Sequence, residues 1–340
     1  MIREQGKLRT GPKIYHDLVF EEEIKNLINI TKEHYDACVP FTFHAGIRSL
    51  ISPVSSTFYK DALKYGFFEL QSARDWYREI TADTGGMHVD LVKYWIEIAT
   101  LLAAPIAPHF TEHLWSTVLG KPRSIQLASW PTPTSTVDTA AVEAGNYMRG
   151  TIKTIRDAEL TLIKKLSRGK SAPYDPKKPK SVRVYVASKF PEWQTECVDA
   201  VKEAYNGETQ KVDDAKVREV LQKKGLLKDK RAMPFIQLFK VNPSFARRLI
   251  RGGTDPILFF QKRMQQFGAE AAFKRQLLFS EVDVLNEILG YLKKSLSLVD
   301  AEVLTVHEAL ARSEADPQGY NKMIIESSEP GTPAFEFRNV

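Results

Sequence analysis

A basic, proline-rich segment divides this chain into two parts with different hydrophobic periodicities. It reads SRGKSAPYDPKKPKSVR and occupies residues 167–183, where one glycine and three prolines interrupt any helix. Between Lys164 and Lys189, nine Lys or Arg residues stand against one Asp. The net charge of this stretch is +8, which exceeds the +6 of the whole chain. The sequence therefore predicts a basic linker at residues 169–180 between two domains.

Before this linker, apolar residues recur with the spacing of one helical face. The runs are separated by short polar, Gly- or Pro-containing turns, and strand-like alternation is rare. The first domain, residues 1–168, is therefore predicted to be an all-α helical bundle. Its helices are predicted at residues 17–37, 58–82, 87–104, 108–119 and 137–166.

After the linker, the pattern changes to short strands mixed with helices. SVRVYVA alternates as a half-buried strand does, and PEWQTECVDAVKEAYNG follows it with helical spacing. Two further strands are predicted in AEVLTVHEA and AFEFRNV. Residues 181–340 are thus predicted to form a small α/β domain, and the fold class of the whole chain is α+β.

The overall composition favours a cytosolic protein with an acidic partner. A net charge of +6 and a pI near 9.0 are typical of proteins that bind nucleic acid, although many basic proteins bind none. Cys38 and Cys197 are too few for a disulfide framework, which suits a reducing compartment. The most apolar stretch, YWIEIATLLAAPIAPHF, contains Glu97 and two prolines, so we expect no membrane span.

The pentapeptide HFTEH raises the possibility of a metal site. His109, Glu112 and His113 fit the H-x-x-E-H pattern of inverted zinc proteases, in which two histidines one turn apart share a zinc ion. A third ligand is not evident in the sequence, and Pro108 favours a helix start at this point. We therefore predict no metal site. The apolar residues expected to be buried on this helix are Phe110, Leu114, Trp115 and Val118.

Two groups of basic residues are candidates for contact with RNA phosphates. Lys and Arg gain affinity there by displacing counterions from the nucleic acid. One group, Lys60, Lys64 and Arg78, lies on a polar stripe of the second predicted helix, where a solvated face is an equal alternative. The other group lies in and beside the linker, where the alternative is a solvated flexible segment. It comprises Lys164, Lys165, Arg168, Lys170, Lys177, Lys178 and Lys180.

Several long stretches identify a family resemblance. DALKYGFFELQSARDWYREIT, LLAAPIAPHFTEHLW, SIQLASWP and VRVYVASKFPEWQ follow one another in the order found in the C-terminal part of eukaryotic cytosolic leucyl-tRNA synthetases. These are class I enzymes, and the final PGTPAFEFRNV is similar to their terminus. The resemblance implies that the helical bundle is an anticodon-binding-type domain, in which HFTEH has a structural role. It also implies a C-terminal domain that interacts with tRNA.

The resemblance also implies what the complete enzyme does and what this chain lacks. The family joins leucine to tRNA(Leu) with ATP and Mg²⁺, using catalytic and editing domains that are expected upstream of these residues. We therefore assign no catalytic residue, cofactor or metal to this chain, and expect tRNA(Leu) and the catalytic portion as partners. HAGI and KLSRG resemble the class I signatures only in part and are not assigned a role. The alternatives are a stand-alone RNA-binding or scaffolding protein and a zinc hydrolase.

Two segments of about twenty residues depart from the family pattern. They are residues 38–56 and 241–261, and their removal leaves HYDATFYKDALKYG and MPFIQLFKKRMQQFG, which match the family. Every Val codon begins with GT, so Val241 can open with a splice donor, and CAG for Gln261 can close with an acceptor. The second segment also places Pro and Gly residues within a helical run. We hypothesise that both segments are translated introns.

This hypothesis predicts that the mature messenger RNA lacks both segments. Sequencing of the transcripts across the two junctions measures it directly, and the junctions at residues 37/57 and 240/262 should predominate in frame. Transcripts that mostly retain both segments would refute the hypothesis.

Overall fold

A computed structural model describes most of the chain. The described residues are 8–38, 55–167, 175, 178–206, 211–226, 229, 232–234, 236, 277–317 and 319–340. Two compact units are present, Met1–Asn146 and Tyr147–Val340, and their boundary falls within one helix. The predicted insertion at residues 241–261 lies outside the described residues, as does nearly all of the insertion at residues 38–56. The domain limits predicted from the sequence, residues 1–168 and 181–340, stay a prediction.

The first unit is built from helices, as the periodicity predicts. The helix predicted at residues 58–82 is present as one continuous helical run. Its middle part, Lys64–Glu69, is a π-helical turn. A similar π-helical turn, Leu114–Val118, continues the helix that begins at Pro108. The α-helices are α1 (Tyr15–Cys38), α2 (Ser55–Leu63), α3 (Leu70–Ile80), α4 (Val89–Ala103), α5 (Pro108–His113) and α6 (Thr139–Ser167), the last of which crosses into the second unit.

A buried carboxylate organises the core of the first unit. Asp17 in α1 is fully buried, is ion-paired with Arg9 and accepts a hydrogen bond from the Tyr77 hydroxyl in α3. The backbone N–H of Ile14 donates to the same carboxylate at 2.7 Å. The Tyr77 oxygen in turn accepts from the backbone N–H of His88 at 2.8 Å, just before α4. One charge thus connects the N-terminal segment with three helices.

Around this network the apolar faces of the helices form one core. The rings of Phe20 and Tyr77 stack with centroids 4.2 Å apart, and Trp95 donates its indole N–H to the Leu70 carbonyl oxygen at 3.0 Å. This hydrogen bond satisfies the only polar atom of a large buried ring. The main buried members are Phe20, Ile24, Ile28, Leu70, Tyr77, Leu91, Trp95, Ile98 and Leu102.

The second unit has the small α/β architecture that the sequence predicts. Its three-stranded sheet has the order β4–β1–β5, with β1 parallel to β4 and antiparallel to β5. A separate two-stranded ribbon joins β2 and β3. The strands are β1 (Lys180–Val186), β2 (Tyr205–Asn206), β3 (Lys211–Val212), β4 (Asp300–Thr305) and β5 (Ala334–Asn339). The helices numbered here are α7 (Glu192–Glu203), α8 (Asp214–Lys223), α9 (Glu281–Ser295), α10 (Val306–Ala315) and α11 (Lys322–Glu326).

Two apolar clusters lie among the described residues of the second unit. One joins α7 and α8 through Cys197, Val201 and Leu221. The other places Tyr185 of β1 and Leu304 of β4 against α10 and α11. None of the described helices is both long enough and apolar enough to cross a membrane.

Replacement of Asp17 by Asn should destabilise the first unit in a pH-dependent manner. Burial alone would raise the pKa of Asp17, but the hydrogen bonds from Arg9, Tyr77 and Ile14 together lower it. A lowered pKa means that the stabilisation is complete above the ordinary Asp value and is lost as the pH falls through the folded-state value. At pH 7 the free energy of unfolding should drop by about 1.5–3 kcal/mol, the usual worth of hydrogen bonds to a charged group.

Denaturant unfolding of the wild type and Asp17→Asn at a series of pH values measures this difference. It should be constant near neutrality and should narrow below about pH 4. Asp75→Asn is the matched control, because Asp75 is half exposed and should cost much less. An unchanged difference down to pH 2 would contradict the assigned role of the charge.

Candidate nucleic-acid interface

The HFTEH helix is held by its glutamate. Glu112 accepts hydrogen bonds from the Ser124 hydroxyl at 2.7 Å and from the backbone N–H of Ile125 at 2.9 Å. These contacts fix the short 3₁₀-helix Ile125–Leu127 against α5. His109 and His113 are exposed on the same helix. Glu112 therefore has a structural role, because it connects α5 with the 3₁₀-helix Ile125–Leu127.

The pentapeptide does not form part of a metal site in the part of the chain that the structure describes. No cluster of three or more His, Cys, Asp or Glu side chains suited to a metal ion occurs there. A catalytic zinc site needs three protein ligands and an open position. HFTEH offers two exposed histidines and a carboxylate that is already hydrogen-bonded. The geometry gives the zinc-hydrolase alternative no support.

The expected buried stripe of this helix is only partly correct. Trp115 is buried and donates its indole N–H to the Arg123 carbonyl oxygen at 2.9 Å. Phe110 and Val118, in contrast, are 60% and 39% exposed. The inner face is defined by Thr111 and Trp115, which lie one helical turn apart, so Phe110 points about 100° away from it. The π-helical turn then rotates Val118 off the α-helical spacing.

Trp115→Ala should therefore destabilise the first unit strongly. Truncation of a buried aromatic side chain typically costs about 3–5 kcal/mol, because a cavity remains. Thermal or denaturant unfolding measures the effect. Phe110→Ala, on the same helix but at an exposed position, is the control and should change stability by less than about 0.5 kcal/mol. Equal effects of the two substitutions would show that the inner face has been assigned wrongly.

The three candidate residues of the first unit lie on the surface. Lys60 and Lys64 are exposed one helical turn apart, and Arg78 is exposed further along in α3. The Lys64 amine lies 4.6 Å from the centre of the Tyr65 ring. The Arg78 guanidinium is 3.4 Å from the Asp75 carboxylate, which offsets part of its charge. Their contact with RNA stays a prediction.

The basic segment is divided between surface and interior. Lys164 and Lys165 are exposed in the last turn of α6, where cations also complement the negative end of a helix. Lys178 is exposed, but Lys180 is the first residue of β1 and forms a largely buried ion pair with Glu159. This pairing leaves Lys180 less available to a phosphate than the exposed lysines, and its contact with RNA stays a prediction. The other three candidates, Arg168, Lys170 and Lys177, lie outside the described residues.

The described part of the linker is held against the last strand by Asn339. The Asn339 side chain accepts from the Asp175 N–H at 2.7 Å and donates to the Asp175 carbonyl oxygen at 2.8 Å. The Val340 N–H donates to the Pro179 carbonyl oxygen at 3.1 Å, beside the same strand. Sequence reasoning missed Asn339, because a single amide near a terminus gives no signal of a contact more than 150 residues away. These hydrogen bonds thus hold the backbone on either side of the exposed Lys178.

Comparisons with known proteins show which families this chain resembles. Residues 17–174 match the family model of the anticodon-binding domain of tRNA ligases. Residues 186–244 match that of the RagD-binding domain of leucine–tRNA ligase. The chain is thus similar to a portion of the leucine–tRNA ligases. The resemblance seen in the sequence motifs is thereby confirmed.

Three fungal relatives extend the match over the whole chain. The cytoplasmic leucine–tRNA ligase ascribed to Schizosaccharomyces pombe is 36% identical over 352 residues, and that of Saccharomyces cerevisiae is 33% identical over 350 residues. Both alignments cover 100% of this chain and 28% of the relative. That of Neurospora crassa is 32% identical over 98% of this chain and 27% of its own length. The chain therefore spans between a quarter and a third of these leucine–tRNA ligases.

The match at residues 186–244 suggests a protein partner, which the sequence analysis did not expect. Within this range the structure describes α7, the β2–β3 ribbon and α8. The tRNA-interacting domain predicted there stays a prediction, and the family model that matches is that of a RagD-binding domain. Helices with one apolar face look alike whether their outer face meets protein or water, so periodicity alone could not distinguish the two.

Proposed function

We propose that this chain is the tRNA-binding part of a cytosolic leucine–tRNA ligase. In the complete enzyme it would support the joining of leucine to tRNA(Leu) with ATP and Mg²⁺. The observation that carries this proposal is the match of residues 17–174 to the anticodon-binding domain of tRNA ligases. The cytoplasmic names of the relatives support the same compartment for this protein. The catalytic portion of the enzyme is the expected partner.

Electrostatics supports a contact between tRNA and the end of α6. Lys164, Lys165 and Lys178 present three exposed positive charges close together in sequence. Each ammonium that approaches a phosphate releases condensed counterions, which favours binding independently of base sequence. We infer that these lysines hold the tRNA backbone and that they carry little discrimination between bases.

We also propose that residues 186–244 bind a protein partner. The support is their match to the RagD-binding domain, so the partner would be RagD or a related protein. The exposed faces of α7 and α8 are the described surfaces available for this contact. A pull-down with purified RagD, using the full chain, tests the proposal, and no retention at micromolar concentrations would contradict it.

Binding of tRNA by the purified chain should depend strongly on salt. If three lysines meet phosphates, the logarithm of the affinity should fall with the logarithm of the salt concentration with a slope of at least about 2–3. Fluorescence anisotropy with labelled tRNA(Leu) between 50 and 300 mM salt measures this slope. An affinity that does not change with salt would rule out phosphate contacts. Leucine-dependent ATP–pyrophosphate exchange by this chain would overturn its assignment as a non-catalytic part.

The double substitution Lys164→Ala/Lys165→Ala identifies the surface involved. It should weaken binding and lower the salt slope by about 2, because each lysine that meets a phosphate contributes about 1 to the slope. Lys216→Ala/Lys224→Ala removes the same charge from exposed positions in and just after α8 and should leave the slope nearly unchanged. Equal reductions by both pairs would mean that only the net charge matters.

A further inference from the structure

The helical run formed by α2, the π-helical turn and α3 has a buried row of side chains that faces α1. This row comprises Ala62, Gly66 and Leu70, at intervals of four residues. A Cβ atom at Gly66 would lie 2.7 Å from the Thr31 Cγ2 atom, so the run is in close contact with α1 at this point. Residues two positions away from the buried row lie about half a turn around the helix axis. They therefore point away from α1.

The opposite row consists of two cations followed by an aromatic ring. It comprises Lys60, Lys64 and Phe68, which are all exposed. Phe68 is 58% exposed, and the 37% exposed ring of its neighbour Phe67 meets it edge to face, with centroids 5.3 Å apart. Isolated apolar residues on a surface need no explanation, whereas adjacent exposed rings indicate an interaction site. We call Lys60, Lys64, Phe67 and Phe68 the outer row.

The π-helical turn explains why both rings of the outer row are at the surface. This turn, Lys64–Glu69, contains Phe67 and Phe68. A π-helical turn holds more residues than an α-helical turn, so two successive side chains lie closer to the same face. Such turns are rare, and they occur frequently at functional sites. The backbone geometry therefore presents the two rings together.

Both lysines of the outer row can meet an anion. In the described part of the chain, neither Lys60 nor Lys64 forms an ion pair with a carboxylate. The Lys64 amine lies over the Tyr65 ring, which leaves its charge uncancelled. The acidic neighbours, the half-buried Asp61 and the exposed Glu69, lie about a quarter of a turn to one side. The charge that points directly away from α1 is therefore positive.

The size of the aromatic surface favours a nucleobase over a protein. At these exposures, two phenylalanines of roughly 200 Å² each present about 200 Å² together. A stable protein interface buries about 800 Å² on each partner. A single planar base covers one ring face, and its neighbouring phosphates carry the charge that the lysines attract. The outer row thus suits a nucleotide better than a protein surface.

We propose that the outer row binds an unpaired base of RNA. The base stacks on Phe68, with Phe67 at its edge, and the adjoining phosphates contact Lys64 and Lys60. Sequence-tolerant recognition of this kind is usual for single-stranded RNA, because every base has a flat π-face. This inference rests on the proposed tRNA-binding function and adds a contact with bases to the phosphate contacts of the α6 lysines.

The test compares two labelled RNA hexamers with identical backbones, one of adenosines and one of abasic residues. Fluorescence anisotropy measures their binding to the purified full chain. The wild type should bind the adenosine hexamer about fivefold or more tightly than the abasic one. Phe68→Ala should remove most of this preference, and Phe68→Trp should restore it. Phe110→Ala is the matched control, because Phe110 is 60% exposed on another helix, and it should keep the preference.

The lysines and the rings should respond to different measurements. Lys60→Ala/Lys64→Ala should weaken both hexamers and lower the salt slope, whereas Phe68→Ala should leave the slope unchanged, because a phenyl ring releases no counterions. Equal binding of the two hexamers by the wild type, or an unchanged preference in Phe68→Ala, would overturn the proposal. Weaker association of Phe68→Ala with the catalytic portion, at an unchanged hexamer preference, would assign the face to a protein contact instead.

Failure of this inference is distinguishable from failure of the proposed function. Salt-dependent binding of tRNA(Leu) by a wild type that shows no base preference would refute only the stacking at Phe68. Absence of tRNA binding altogether would contradict the proposed function. Because Phe68 is exposed, its replacement should leave the unfolding transition nearly unchanged, so a loss of preference cannot be ascribed to unfolding.

Discussion

Asp17 is the buried charge on which the arrangement of the first unit depends. This one carboxylate accepts hydrogen bonds from Arg9, Tyr77 and the Ile14 N–H. The Tyr77 oxygen also accepts a hydrogen bond from the backbone N–H of His88, just before α4. A buried anion is tolerated only when its hydrogen-bonding capacity is filled by donors and a cation. The network therefore fixes how α1, α3 and α4 meet, whereas apolar packing alone would accept small rotations of each helix.

In the basic segment, likewise, one lysine is paired with a carboxylate inside the fold and others are exposed to solvent. Lys180 is neutralised by Glu159 in a largely buried pair, and Asn339 secures the backbone near Asp175. Lys178, Lys164 and Lys165 remain at the surface on either side of these anchors. Net charge counted along a sequence cannot make this distinction, because an ion pair depends on which residues the fold brings together. The surface lysines are the ones that can exchange counterions for phosphates.

Hydrophobic periodicity predicted the elements of this fold well, because each helix or strand buries one face. The helices α1, α4 and α6 begin and end within two residues of the predicted limits. Periodicity failed where the geometry departs from 3.6 residues per turn, as it does at Val118. It also could not find Asn339, whose importance comes from its contact with the distant Asp175. Charge alone selected the RNA candidates, and it gives no sign that Lys180 is paired with Glu159.

The first predicted insertion, residues 38–56, falls between α1 and α2. The helices α1 and α2, which adjoin residues 38–56, lie against each other. Helices that already pack against each other need only a short connection, commonly of two to eight residues. Excision that joins Ala37 to Thr57 would therefore require only the last turn of α1 and the first turn of α2 to open. The Asp17 network lies at the other end of α1, more than four helical turns away, so this rearrangement would leave the organising charge of the unit in place.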